Sequence, residues 1–239
     1  MPRQWGGLSR GEKAYIEHGI ENDIRNDGRG CEDFRSIALD VGVIRQASGS
    51  ARLRLGLTDV LVGVKVDIVA PEEERPDEGR MVFSVEMSPS ASPEYEGRGG
   101  DELATELGRA LERSFGGGST GKGAALDLKG LCIQPGKTCW VLYVDALVLN
   151  ADGNLLDALA ITTRAALAST LVPSAEVSGE GEDAEIEIDD DPAECTRLDI
   201  SRMPVVVTLT KVGSKYVVDA TAEEERQMRA ALMVAVNND

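Results

Sequence analysis

A chain of 239 residues can bury a sizeable core, while its net charge of −17 excludes a broad basic surface for nucleic acid. The four cysteines, Cys31, Cys132, Cys139 and Cys195, lie apart and no pair has the CxxC spacing of a zinc or redox site, which fits a reduced, intracellular protein. No apolar run nears the roughly 18 residues of a membrane span, and MPRQWGGLSRGEK lacks a secretory stretch, so a soluble chain without membrane partners is expected.

Ser9 and Glu12 have capping-box spacing ahead of Ala14, Tyr15, Ile16 and Ile20, which predicts a helix over about 10–20. A polar, glycine-bearing turn, DIRNDGRGCEDFR, follows. From Ile37 to Val69 the chain is rich in Val, Ile and Leu with alternation as in ARLRLGL, and SGS at 48–50 and Gly56 divide it into three antiparallel strands. PEEERPDEG at 71–79 reads as a charged hairpin loop leading to a fourth strand, RMVFSVEMS. Between Asp101 and Phe115 the apolar residues Leu103, Leu107, Ala110, Leu111 and Phe115 recur at helical steps and mark one buried face.

GGGSTGKG at 116–123 reads as a flexible loop, and DLKGL as the start of a short helix. CWVLYVDALVL, 139–149, is almost continuously apolar over strand length and suits a central strand covered on both sides. An alanine-rich helix is expected over 158–171, and strands at about 196–200, 204–212 and 215–219. Thr221 and Glu224 form a second capping box, opening a final helix from Ala222. Between the alanine-rich helix and these strands, Glu176 to Glu194 holds ten acids and no base; without it the net charge is −7, and such a run reads as a self-repelling solvated loop. The element order defines an α+β fold, taken as one unit over 1–239 with no fixed-period repeat.

Several motifs fail on their chemistry. Gly116, Gly121 and Lys122 have P-loop spacing, but Gly123 stands where Ser or Thr must hold magnesium, and the segment leaves a helix instead of a strand. His18 is the single histidine, beside Glu17 on a terminal helix, and reads as a surface residue; no two-histidine metal site can be built. Asp189, Asp190 and Asp191 are consecutive carboxylates in a flexible run, poorly organised for a metal. Arg98 lies among glycines directly before the 101–115 helix, whose free N–H groups favour an anion, although Glu96 or Asp101 could equally pair with it. Arg52 and Arg54 alternate with Leu53 and Leu55, so both point to one strand face, a second candidate basic patch or plain solvent-facing surface.

Taken in order, NDIRNDGRGCEDFR, SGSARLRLGLTDVLVGVK, SPSASPEYEGRGGDEL and CWVLYVDALVLNADGNLLDALAI resemble the RNase PH family of the RNA exosome, from about residue 9 to 225. The resemblance implies an RNase PH-like α+β fold containing a βαβ unit, and a heterodimer with a related subunit. Three such pairs would close a six-membered ring through which RNA threads, with RNA-binding cap subunits and a separate catalytic ribonuclease as further partners. It also implies residence in cytoplasm and nucleus, including the nucleolus.

Active members of that family carry a phosphate-gripping Arg and Thr-type pair at the start of the strand that ends in an ADG turn. Counted back from Ala151, Asp152 and Gly153, those places hold Trp140 and Val141. Active members also carry two aspartates six residues apart; from Asp189, Asp190 or Asp191 the sixth residue on is Cys195, Thr196 or Arg197. The resemblance therefore implies a non-catalytic ring subunit that needs no cofactor or metal. Arg98 is its leading RNA contact, with Arg52 and Arg54 behind it. An active phosphate-dependent 3′-to-5′ exoribonuclease is the alternative. Family members commonly extend past the point where VAVNND ends, so a missing C-terminal segment is expected.

Overall fold

The computed structural model describes residues 8–95, 100–116, 125–178, 185–189, 191 and 193–237. Helix α1, Arg10–Glu21, opens as its sequence requires: the Ser9 hydroxyl accepts from the Glu12 amide, and the Glu12 carboxylate accepts from the Ser9 amide. It buries Ile16 and Ile20 against Cys31, Val212 and Val217, and leaves His18 exposed.

Strands β1 (Ile37–Val41), β2 (Gly49–Leu55) and β3 (Thr58–Val69) form an antiparallel meander, as the alternation and turn residues predict. The charged segment at 71–79 is not a hairpin loop. β4 (Arg80–Met87) does not pair with β3; it lies parallel to β6 (Thr138–Asn150), which sits between them, giving the order β1-β2-β3-β6-β4 with the short β5 (Cys132–Gln134) added against β6. The parallel β4 to β6 crossover passes through helix α2, Asp101–Phe115. DLKGL forms only a 3-10 turn at Lys129–Leu131. Beyond Gly116, GGGSTGKG lies outside the described residues.

Helices α2 and α3 (Leu155–Ser169) cover one face of this sheet. Leu107, Leu111 and Phe115 of α2 and Ala158, Leu159 and Leu167 of α3 share a core with Leu53, Val62, Leu142 and Val144. The opposite face is not covered by a helix among the described residues, so Tyr143 and Leu147 are only half-buried and Asp145 is exposed. β6 is therefore central but not buried on both sides.

The C-terminal region departs most from expectation. β11 (Val205–Val212) pairs with β12 (Lys215–Val218) on one side and β13 (Ala230–Val236) on the other. The final helix is one turn, α4 (Ala222–Glu225), and AALMVAV, good helix formers by composition, extends because β11 offers it a ladder from Val205–Val236 to Lys211–Ala230. The acidic run is not wholly loop: β8 (Ser174–Ser178) and β9 (Glu185–Asp189) form an antiparallel hairpin in which Ala175 opposes Ile188 and Val177 opposes Ile186. Period-two alternation in EIEID outweighs its charge. The strand expected at 196–200 shrinks to β10, Thr196–Arg197, paired with β7, Leu171–Val172.

Candidate functional site

The alternation of β2 sends Leu53 and Leu55 into the core and Arg52 and Arg54 to the uncovered sheet face. They are not equivalent. Arg52 is spent on Asp59 of β3, with Nε to Oδ1 at 2.9 Å and Nη2 to Oδ2 at 2.7 Å. That bond, with the Asp59 charge, raises the Arg52 guanidinium above its ordinary value. Arg54 is exposed, has no ion pair with another described residue, and stands across from Ala38 and Asp59. The register puts Asp40, Lys65, Asp67 and Asp145 on the same face, so Arg54 is a local cation in a mixed surface. Arg98 lies outside the described residues. The helix it precedes has Gly100 as its N-cap, without a side-chain cap bond, and Asp101 and Glu102 occupy its first turn.

Trp140 and Val141 are buried near the start of β6. Trp140 is ten residue steps from Asn150, so it stands about 33 Å along the strand from the start of the ADG turn. Trp140 lines a pocket of about 270 Å³ that also contains Val172, Pro173, Thr196, Arg197 and Leu198. Two positions read separately in the sequence, 140 and 197, thus meet in one cavity. Its lining offers an indole, a guanidinium and the two carboxylates of Asp127 and Asp199. Among the described residues no group of three or more acids, histidines or cysteines is placed to hold a metal, Asp189 and Asp191 included.

The ADG turn holds a constellation that sequence reasoning missed. Gly153 has φ +78°, and a Cβ there would come within 2.6 Å of the Ala220 carbonyl and the Ala222 amide. Asn154 follows in the left-handed region at φ 52°. Its backbone N–H, at the N-cap of α3, donates to Glu225 Oε1 at 2.8 Å, and its side chain donates to Asp219 Oδ1 at 3.0 Å. Arg35 also grips Asp219, through Nε at 2.9 Å and Nη2 at 2.7 Å, while Nη1 reaches the Asp152 carbonyl at 2.7 Å. Arg29 adds a third cationic contact to Asp219 at 3.0 Å. Beneath them Arg25, wholly buried, donates to both Glu224 oxygens and to the Val218 and Asp219 carbonyls.

Burial pushes Asp219 upward, but the hydrogen bonds from Arg35 and Asn154 outweigh it and hold the carboxyl below its ordinary value. Burial dominates at Glu225 and at Asp157 and raises both, against hydrogen bonds from Asn154 and from Thr208. The amide at the start of α3, an anion seat by its geometry, is therefore filled by the chain's own carboxylate. The signal in sequence was the arginine spacing of RNDGRGCEDFR together with the second capping box. No local pattern links the two across roughly 190 residues.

A mixed sheet with helices on one face, and a second small sheet joined to it through the ADG turn, is the RNase PH-like arrangement. The model described as the 3′ exoribonuclease family, domain 1, matches residues 33–173, and that for domain 2 matches residues 202–239; the chain belongs to this family. It is 38% identical over 228 residues to the exosome complex component Rrp42 of Methanosarcina mazei, covering 95% of this chain and 79% of that protein. It is also 38% identical over 274 residues to the RRP42 protein of Dictyostelium discoideum, which bears the name of an exosome complex exonuclease; 97% of this chain and 85% of the relative are covered. Among solved structures, a chain of the Archaeoglobus fulgidus exosome with RNA bound to the active site superposes with a TM-score of 0.78 at 35% identity, over 93% of this chain and 81% of that one.

Proposed function

We propose that the chain is a non-catalytic ring subunit of an exosome that supports 3′-to-5′ RNA processing and degradation by closing the ring and lining the RNA path. Its kinship to Rrp42 components over 95% of its length supports the ring role. One observation carries the non-catalytic part: Trp140, where active relatives by resemblance need a phosphate ligand, shares a pocket with Arg197, one of the three positions 195–197 where they need a second carboxylate. Neither side chain can perform the task it replaces: an indole offers phosphate no charge, and a guanidinium can neither bind a cation nor act as an acid near neutral pH.

The partners in this reading are a related RNase PH-like subunit, two further such pairs completing a six-membered ring, RNA-binding caps and a separate ribonuclease. The chain functions as one unit over 1–239, because Arg25, Arg29 and Arg35 fasten the segment before β1 to the strand and turn at 218–225. Residence in nucleus, nucleolus and cytoplasm follows by the same resemblance and is tested by fractionation. The assembly is tested by light scattering of the purified chain mixed with related ring subunits: a defined hetero-oligomer is expected, and a persistent monomer overturns the reading. The alternative, an active phosphorolytic exoribonuclease, draws on the name of the Dictyostelium relative and predicts release of nucleoside diphosphates from RNA.

A further inference from the structure

Cys132 and Cys139, set apart in the sequence, are register partners in the β5–β6 ladder, beside a bulge between Cys132 and Gln134. Directly opposed residues of an antiparallel pair point to the same face, with Cα atoms about 4.5–5.5 Å apart, inside the roughly 4.4–6.8 Å that a disulfide spans. Both thiols are free. Cys139 is wholly buried, but it lines an open pocket of about 250 Å³ together with Glu72, Arg75, Arg80 and Gly116, and Cys132 is only half-buried. In the same pocket the Arg80 Nε is buried without a hydrogen-bond partner, a cationic donor available to a sulfur anion.

We propose that Cys132 and Cys139 are a cross-strand dithiol that closes to a disulfide when hydrogen peroxide reaches the pair. The Cys132 thiolate, the more exposed, attacks the peroxide; the O–O bond breaks, hydroxide leaves and a sulfenic acid forms. The Cys139 thiolate then attacks that sulfur, the S–O bond breaks, and the departing hydroxide takes up a proton as water. Two electrons pass from the two sulfurs to the peroxide, and the net products are one disulfide and two waters. The bond would close the turn at 135–138, whose Gly136 amide donates to the Pro76 carbonyl, and so brace β6 against the 71–79 segment.

Burial raises both thiols, Glu72 and Asp77 add to the effect and Arg80 opposes it at Cys139, so closure is slow near neutrality. Its rate should gain about tenfold per pH unit as the thiolate fraction grows. Cys31, pushed by burial up to about 11, has no cysteine opposite it in a strand ladder and serves as an internal control.

The test exposes the folded, full-length chain to hydrogen peroxide, blocks remaining thiols under denaturing conditions and digests with trypsin. Cleavage at Lys129, Lys137 and Arg164 puts Cys132 and Cys139 on different peptides, 130–137 and 138–164. Those two peptides should appear joined, lighter by two hydrogens and separable by dithiothreitol. Cys132→Ser should abolish the joined species, and Cys195→Ser should not. If both cysteines stay alkylatable, or Cys132 proceeds to sulfinic acid with Cys139 still a thiol, the proposal is overturned.

Discussion

The Arg25 guanidinium donates to both oxygens of the Glu224 carboxylate, at 2.9 and 2.6 Å, across 199 positions of sequence and with almost no solvent contact on either side chain. Glu224 simultaneously accepts from the Thr221 amide at 2.8 Å, so one carboxylate both caps α4 and neutralises a buried cation. Removing one partner strands the other's charge. Arg25→Met should therefore destabilise the chain by about 3–5 kcal/mol, read from urea unfolding. Arg25→Lys should recover little, because an ammonium cannot reproduce the fork that also reaches the Val218 and Asp219 carbonyls.

The carboxylates around the ADG turn pull stability in opposite directions with pH. Asp219 is held below its ordinary 3.8, so its contribution is present above that pH and is lost as pH falls further. Glu225 is raised from 4.5 by burial, so its contribution is fully present below 4.5 and is lost as pH rises through its folded value. Glu225→Gln, which keeps an oxygen to accept from the Asn154 amide, should be more stable than the parent near neutrality and equal to it in acid. Thermal melts across that range check both limbs; a Gln variant no more stable at neutral pH would contradict the assignment of burial as the dominant influence on Glu225.

Gly153 tests the joint sterically. A methyl group at φ +78° would be strained even in open space, and here it meets the Ala220 carbonyl at 2.5 Å. Gly153→Ala should cost about 2 kcal/mol or more by chemical denaturation. Gly136, at φ +75° with nothing within 4 Å, should cost clearly less.

For RNA, Arg54 and Arg52 should separate. Arg54→Glu in the assembled ring should weaken RNA binding and reduce the salt slope by about one counterion if Arg54 touches a phosphate. Arg52→Ala should change RNA binding less, since its guanidinium is engaged by Asp59. Arg98→Ala, measured in the same assay, ranks the remaining candidate against Arg54.

What the sequence made legible was local. The capping boxes at Ser9 and Thr221, the helical face of Leu107, Leu111 and Phe115, and the alternation of β2 all reside within a few residues, and each forms as expected. Errors arose where a distant partner decides. AALMVAV becomes strand because β11 pairs with it, and the 71–79 segment is no hairpin because β6 inserts between β3 and β4. At EIEID, charge count obscured alternation. That Trp140 and Arg197 line one pocket, and that Asn154 bonds Glu225, could not be seen along the chain, since each joins residues more than fifty positions apart.

The non-catalytic reading is tested most directly by incubating the purified chain, free of other ring subunits, with poly(A) and inorganic phosphate and assaying for nucleoside diphosphates. No release is predicted, because position 140 carries an indole and none of positions 195, 196 and 197 carries a carboxylate. Phosphate-dependent release of ADP that rises with enzyme concentration would contradict it.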